Sequence, residues 1–364
     1  MIKLIKPYIS FDEVEEEFRE VFESGWFTKG RFVEEFTKEI KGYTNAKYAF
    51  LTTSATTALT MALKALGIKE GDEVIVSDFS FPATANVVED LGAVPVFVDV
   101  SLDTFNMLAD ALERAITNKT KAVIFVDALG NPSGIHTIKA VCKEYNLPLI
   151  EDAACAIGSS EFGVKCGNIS DISCFSLHPR KLLTTGEGGI ITCNNKEYAN
   201  FFNVKLNHGA VVTNAKLDFI DYGYNYRLSE LQAVMGIKQF QKLDTIVQNR
   251  NKSRERLKKL IEPLGFRAQK TSDGVTFNVQ SLTFITPKGI SRDKLIEALR
   301  KKEIESTIGT YALSATSYYR KKYNNIQNNS LFLENNTITL PCFDGVDIDY
   351  IAKSIEESLC FCKE

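Results

Sequence analysis

The chain has 364 residues, 44% of them hydrophobic and 24% charged, which is ordinary for a globular protein and long enough to bury a large core. Its formal charge of −3 comes without a long run of either sign, which argues against nucleic acid or an anionic membrane as the main partner. The opening MIKLIKPYISFDEVEEEF lacks the apolar core of a signal peptide, and no apolar run reaches the length of a membrane span, so a cytoplasmic location is expected.

Val14, Phe18, Val21 and Phe22 form one helical stripe, and Val33, Phe36 and Ile40 a second. Short β-branched runs then alternate with helical segments. EVIVSD (73–78), VPVFVDV (94–100), KAVIFVDA (121–128) and LPLIEDA (147–153) read as strands, and 55–66, 82–91, 108–116 and 135–145 as helices. Near-continuous apolar strands separated by helices predict an α/β fold with a mostly parallel central sheet between helices. ISCFSL (172–177) and GGIITCN (188–194) follow as strands, and a long helical stretch starts near Leu228. Beyond it come a strand in VQSLTFITP, a helix in SRDKLIEALRKK, a polar loop containing YNNIQNNS, and a closing helix near 347–359. The expected division is a large domain over 1–243 and a smaller C-terminal α+β domain over 244–364.

The eight cysteines are scattered with no C-x-x-C pair, which favours reduced, mostly buried thiols over a disulfide framework. His136, His178 and His208 are too far apart for a local zinc motif, and no metal is expected.

Four segments carry candidate chemistry. Asp152 closes the strand-like LPLIE, at the carboxyl end where open α/β sheets place ligands; an aspartate there is often only a turn or cap residue. Lys181 follows a strand in FSLHPRKLLTTGEGG; alone it would read as one surface lysine among many. Thr53, Ser54, Ala55 and Thr56 precede the apolar run ALTMALKAL, where N–H groups at a helix start suit a phosphate, or merely cap the helix. Ser176 lies five residues before the lysine, and Phe81 in SDFSFPATAN is either core or a ring cover. Taken together, an imine-forming lysine, an acid for a pyridinium nitrogen, a phosphate cradle and an aromatic cover are the four parts of a pyridoxal 5′-phosphate (PLP) site.

These segments, with SGWFTKGRFVEEFTKEI, TSATTALTMAL, EDAACAIGS, DISCFSLHPRKLLTTGEGG and GYNYRLSELQAVMG in order, resemble the DegT-type sugar aminotransferases, a branch of the fold-type I PLP enzymes. The resemblance covers nearly the whole chain. It implies that Lys181 is the Schiff-base lysine and Asp152 the partner of the ring nitrogen. Ala55, Thr56 and Ser176 would bind phosphate, and Phe81 would stack on the ring. It further implies that Asn225 reaches the phosphate in the neighbouring subunit's site, so that the active unit is a homodimer with shared sites. Two positions depart from the family pattern. Cys155 stands where a glutamine usually meets the ring hydroxyl, and Ala55 where a glycine usually opens the phosphate helix.

The implied activity is transfer of an amino group from L-glutamate to a ketone. A keto-deoxyhexose linked to a nucleotide diphosphate, for surface polysaccharide or glycan synthesis, is the first expectation; a triose phosphate or ketocyclitol is the alternative. Tyr311, Tyr318, Tyr319 and Arg320 are candidates for sugar or phosphate contacts, and Arg180 for the donor carboxylate. A PLP-dependent dehydratase and a non-catalytic regulator are the remaining readings. Lys181 disfavours the dehydratases of this family that carry histidine there, and the joint presence of Asp152, Lys181 and Ser176 disfavours the regulator.

Overall fold

Seven short apolar strands build the central sheet of the computed structural model, which describes residues 1–363. They are β1 (Tyr48–Thr52), β2 (Glu73–Ser77), β3 (Val94–Val98), β4 (Thr120–Val126), β5 (Leu149–Asp152), β6 (Ile172–Ser176) and β7 (Gly189–Cys193). Their spatial order is β1-β7-β6-β5-β4-β2-β3. Strands β2 to β6 run parallel to one another, while β7 runs antiparallel to both β6 and β1.

The period-two alternation of side chains divides each strand between two cores. On one face Val74, Val76, Ile124, Ile150, Ile172 and Ile191 pack with Leu59, Met61, Val88 and Phe202. Those partners come from α3 (Ala55–Ala65), α4 (Ala83–Asp90) and α7 (Lys196–Lys205), all introduced after α1 (Glu15–Ser24) and α2 (Arg31–Thr44) with α5 (Ala109–Ala115) and α6 (Ile135–Glu144) between them. On the other face Ile75, Val123, Phe125 and Leu149 meet Leu112 of α5 and Ile138 of α6. Farther along that face Leu51, Phe175 and Ile190 meet Phe36 and Ile40 of α2, and Val234 and Ile237 of α8 (Glu230–Phe240). Helices α2 and α8 approach closely because Gly236 has no side chain: a Cβ there would lie 2.4 Å from the Phe36 ring. Glu230, 2% exposed, ties the same two helices by accepting the N–H groups of Gly30 (2.8 Å) and Phe32 (2.9 Å) at the start of α2.

Helix α9 (Leu243–Ile261) belongs to two cores. Leu243, Ile246 and Val247 pack with α2 and α8, whereas Leu257 and Ile261 pack under a second sheet. That sheet contains β8 (Arg267–Ala268), β9 (Leu282–Ile285), β10 (Thr307–Ile308) and β11 (Thr337–Leu340) in the order β8-β9-β11-β10. Leu295 and Leu299 of α10 (Arg292–Lys301) cover it, with Phe284 and Ile338 from the sheet itself.

Four local features depart from the sequence reading or were absent from it. The strand β1 was not legible, and β7 reverses direction within the sheet. The stretch from Leu228 is two helices, broken at Gln241 and Lys242. The polar loop holds α11 (Ser317–Tyr323) and α12 (Asn328–Asn336), ahead of the closing helix α13 (Ile348–Ser358). Helix α12 starts in an Asn-rich sequence because Asp99, at the end of β3, accepts the N–H groups of Asn329 and Ser330, both at 3.0 Å. Its cap comes from another part of the chain, so nothing local announces it. Among the described residues no helix is long and apolar enough to cross a membrane. All eight cysteines are free, six of them buried.

Candidate active site

Parallel strands deliver their last residues to one edge of the sheet, and β5 and β6 bring Asp152 and Ser176 there. The antiparallel β7 brings its first residue to the same edge, where Gly189 pairs with both Ser176 and Thr52. Residues 53–56 follow directly from Thr52 into α3. A Cβ on Gly189 would lie 2.4 Å from the backbone carbonyl of Ser54, so only glycine lets β7 run this close to the helix start. Ser54 caps α3 by accepting the N–H of Thr57 at 3.1 Å. Ala55 and Thr56, the first two helical residues, have no intrahelical partner for their N–H groups. Ser176 and this helix start therefore lie at one edge of the sheet on either side of Gly189, and the helix start has the polarity that suits a phosphate.

Asp152 is 5% exposed. One oxygen accepts the Thr84 hydroxyl at 2.7 Å, and the other the Ala154 N–H at 3.2 Å. Thr84 in turn accepts from Ser80 at 2.8 Å, because its own proton is committed to the carboxylate. Burial pushes the Asp152 carboxyl above the usual aspartate range, while the Thr84 hydroxyl and the Lys181 charge pull it back. A buried acid with this balance favours a cation placed against it. Phe81 leaves the same turn 63% exposed, its ring centroid 6.4 Å from that of Tyr311.

Lys181 lies in the loop between β6 and β7, and its Nζ donates to Cys155 Sγ at 3.0 Å. The loop is held from outside. Gln280 accepts the N–H of Leu182 at 2.6 Å and donates to the carbonyl of Arg180 at 2.8 Å, bracketing the lysine on both sides. Asn278 donates to the carbonyls of Cys155 and Ile157, each at 2.8 Å. Two side chains of one short segment thus set Lys181 against Cys155. The residue between them, Val279, is fully buried with φ of +54°, a conformation rare for a β-branched residue. Buried Arg250 holds that backbone in place through the carbonyls of Val279 (2.8 Å) and Gln280 (3.0 Å), and it also bonds Cys342. Sequence reasoning missed Thr84, Asn278, Gln280 and Arg250; the buried Asn-Val-Gln run gives no local sign of its distant partners.

Other expected residues fall elsewhere. Asn225 is exposed and pairs with Asn207. Its neighbour Tyr224 lies against Lys64, in the last turn of α3 and at the far end from Ala55 and Thr56. Arg180 and Tyr318 are exposed, while Tyr319 is packed and donates to Asn86 at 2.6 Å. A group not anticipated is the buried trio Asp127, Glu151 and Cys166, whose ligand atoms lie within 4.8 Å of one another. Burial and the adjacent Glu151 push the Asp127 carboxyl well above the usual aspartate range.

The residues present fit PLP: a buried acid for the ring nitrogen, an amine beside it, an exposed aromatic and a helix-start phosphate cradle converge on one sheet edge. Comparison with known proteins agrees. GDP-perosamine synthase of Escherichia coli O157:H7 is 32% identical over 360 residues, 98% of each chain. The spore coat polysaccharide biosynthesis protein SpsC of Bacillus subtilis is 31% identical over 96% of this chain and 94% of its own. A Streptococcus pneumoniae protein assigned as a sugar aminotransferase, solved in its PLP form, is 27% identical with a TM-score of 0.90 over 99% of each chain. The model of the DegT/DnrJ/EryC1/StrS aminotransferase family matches residues 10–357, and the chain belongs to that family as a PLP-dependent aminotransferase.

Proposed function

We propose that the protein moves an amino group from L-glutamate to a keto-deoxyhexose carried on a nucleotide diphosphate, within the cytoplasm and toward surface polysaccharide or glycan synthesis. The observation that carries the chemistry is the convergence of Asp152, Lys181, Ser176 and the start of α3 at one sheet edge. The sugar class is supported by the relatives named for GDP-perosamine synthesis and for spore coat polysaccharide.

When bound, PLP supplies an electron sink for the pair left behind as the substrate carbon loses its proton. Asp152 keeps a proton on the ring nitrogen, with Thr84 fixing the orientation of its carboxylate. Lys181 Nζ would hold the cofactor and would carry the proton to and from the reacting carbon. Ser176 Oγ and the N–H groups of Ala55 and Thr56 anchor the phosphate. Phe81 covers one ring face and excludes water from it. Cys155, beside Lys181, takes the position next to the ring hydroxyl.

The active unit is a homodimer in which Asn225 completes the partner's phosphate site. Two features support this reading. Tyr224 sits at the wrong end of α3 for Asn225 to serve its own chain's cradle. The nearby hairpin of Ala210–Thr213 and Lys216–Phe219, with the residues just after it, is also markedly apolar for a surface: Val212 is 70%, Phe219 62% and Tyr222 66% exposed.

The test is a panel of ketones offered to protein loaded with the amine form of the cofactor. Nucleotide-linked 4-keto-6-deoxyhexoses should be aminated, with regeneration of the PLP form. Amination confined to triose phosphates or ketocyclitols would overturn the sugar assignment and keep the transaminase.

A further inference from the structure

Eight thiols differ sharply in what can reach them. Cys142, Cys166, Cys174, Cys193, Cys342 and Cys362 are buried, and burial pushes the Cys142 thiol up to about 12 and Cys193 to about 11. Burial also drives Cys166 and Cys174 well above the ordinary thiol range, where the reactive thiolate is scarce. Cys155 is partly open and Cys360 is exposed. Only Cys155 of these two has an amine in contact, the Lys181 Nζ at 3.0 Å from its sulfur. This contact is built rather than incidental. Asn278 fixes the Cys155 backbone and Gln280 fixes the peptides on both sides of Lys181, and both belong to the strained segment clamped by Arg250.

We propose that Cys155 and Lys181 form a site of reversible oxidative cross-linking by peroxides, available whenever Lys181 is not bonded to the cofactor. In the first step the Cys155 thiolate attacks a peroxide oxygen: an S–O bond forms, the O–O bond breaks, and water leaves after protonation. Sulfur has lost two electrons and the peroxide has gained them, giving a sulfenic acid. In the second step the neutral amine of Lys181 attacks that sulfur. An S–N bond forms, the S–O bond breaks, and the departing hydroxide takes the amine proton as water. The second step is not a redox reaction, and its product returns to thiol and amine when an external dithiol reduces the S–N bond. Sulfenic acids condense with backbone nitrogen in this way; here a side-chain nitrogen already touches the sulfur. The cross-link occupies the nitrogen that the cofactor needs, so the modified chain cannot load PLP covalently. It also shields Cys155 from irreversible oxidation while the site is empty.

The probe is hydrogen peroxide on the full chain, PLP-loaded in one sample and cofactor-stripped in another, read by intact and peptide mass spectrometry. The stripped chain should show a species about 2 Da lighter, for the two hydrogens lost. Its digest should contain a peptide pair joining Cys155 to Lys181 that a dithiol separates. Cys155→Ser should abolish that pair, and Cys360→Ser should leave it. A stripped chain in which Cys155 goes to sulfinic acid, or stays reduced while Cys360 oxidises, with no linked pair, overturns the proposal. Protection by PLP rests on the reading that Lys181 holds the cofactor. A linked pair formed equally in the loaded chain would therefore refute that reading and leave the cross-link standing.

Discussion

At Asp152 two neutral donors hold the carboxylate, and no cation of the chain hydrogen-bonds it among the described residues. In the proposed site its charge would be kept for the ring nitrogen. Asp152→Asn preserves an oxygen for Thr84 but cannot stabilise a pyridinium, so turnover should fall while PLP stays bound. Losing such a charge-assisted pair costs about 1.5–3 kcal/mol, or roughly 10- to 150-fold in rate. Steady-state kinetics with cofactor titration checks this, and an unchanged rate would make the residue structural. A second acid gives a pH signature. Burial pushes Asp78 up to about 7 despite its bonds from the N–H (2.7 Å) and hydroxyl (2.9 Å) of Ser314. The folded chain then keeps a proton that the unfolded chain releases above about pH 4. Folding takes up that proton, so this group's stabilisation is complete below pH 4 and declines as pH rises toward about 7. Asp78→Asn should flatten the loss of denaturant midpoint between about pH 4 and pH 7 relative to the parent chain. Parallel pH profiles for the two chains would contradict it.

Among the elements, the segment Asn278–Gln280 has the widest reach. Gln280→Ala removes both bonds that bracket Lys181 and strands the buried Leu182 N–H and the part-buried Arg180 carbonyl, a loss of about 1–3 kcal/mol. The chain should remain folded with a lowered midpoint, a weakened hold on PLP and a larger fall in kcat than rise in KM. Gln280→Glu retains the acceptor for Leu182 and should fall between the two. Absorbance titration of PLP against denaturant curves separates these effects; a stability loss with normal kinetics would limit the segment to scaffolding. None of this was legible in the Asn-Val-Gln run, whose partners are Cys155, Arg180 and Leu182 in distant parts of the chain. The strands EVIVSD, KAVIFVDA and LPLIEDA were legible because both faces are buried and their apolar runs are unbroken. Asp152 was placed at a strand end by the same apolar pattern, and ligands gather there; Lys181 stood out only through the order and spacing of the segments around it, since alone it reads as one surface lysine among many. The reversal of β7 was not legible, since parallel and antiparallel central strands share the same apolar pattern. Helix α12 was hidden by its borrowed cap at Asp99.

On the scale of the whole molecule, the exposed apolar hairpin and the exposed Phe22, Trp26 and Phe27 are the apolar surface that a second copy would cover. If a second copy covers it and Asn225 enters the partner's cradle, inactive chains should rescue one another. Mixing Lys181→Ala with Asn225→Ala chains gives heterodimers with one doubly damaged site and one intact site. Activity above the sum of the parents is the expected result; subunit exchange without recovery would place Asn225 in its own chain's site. The central claim, that this fold presents Lys181 to PLP beside Asp152, has a more direct test. Borohydride reduction of the PLP-loaded protein fixes the cofactor to whichever amine holds it, and peptide mass spectrometry then locates the label. The account places the pyridoxyl group on Lys181 and nowhere else, with Lys181→Ala taking up no stable label. A label on another lysine, or none on the loaded parent chain, would contradict it.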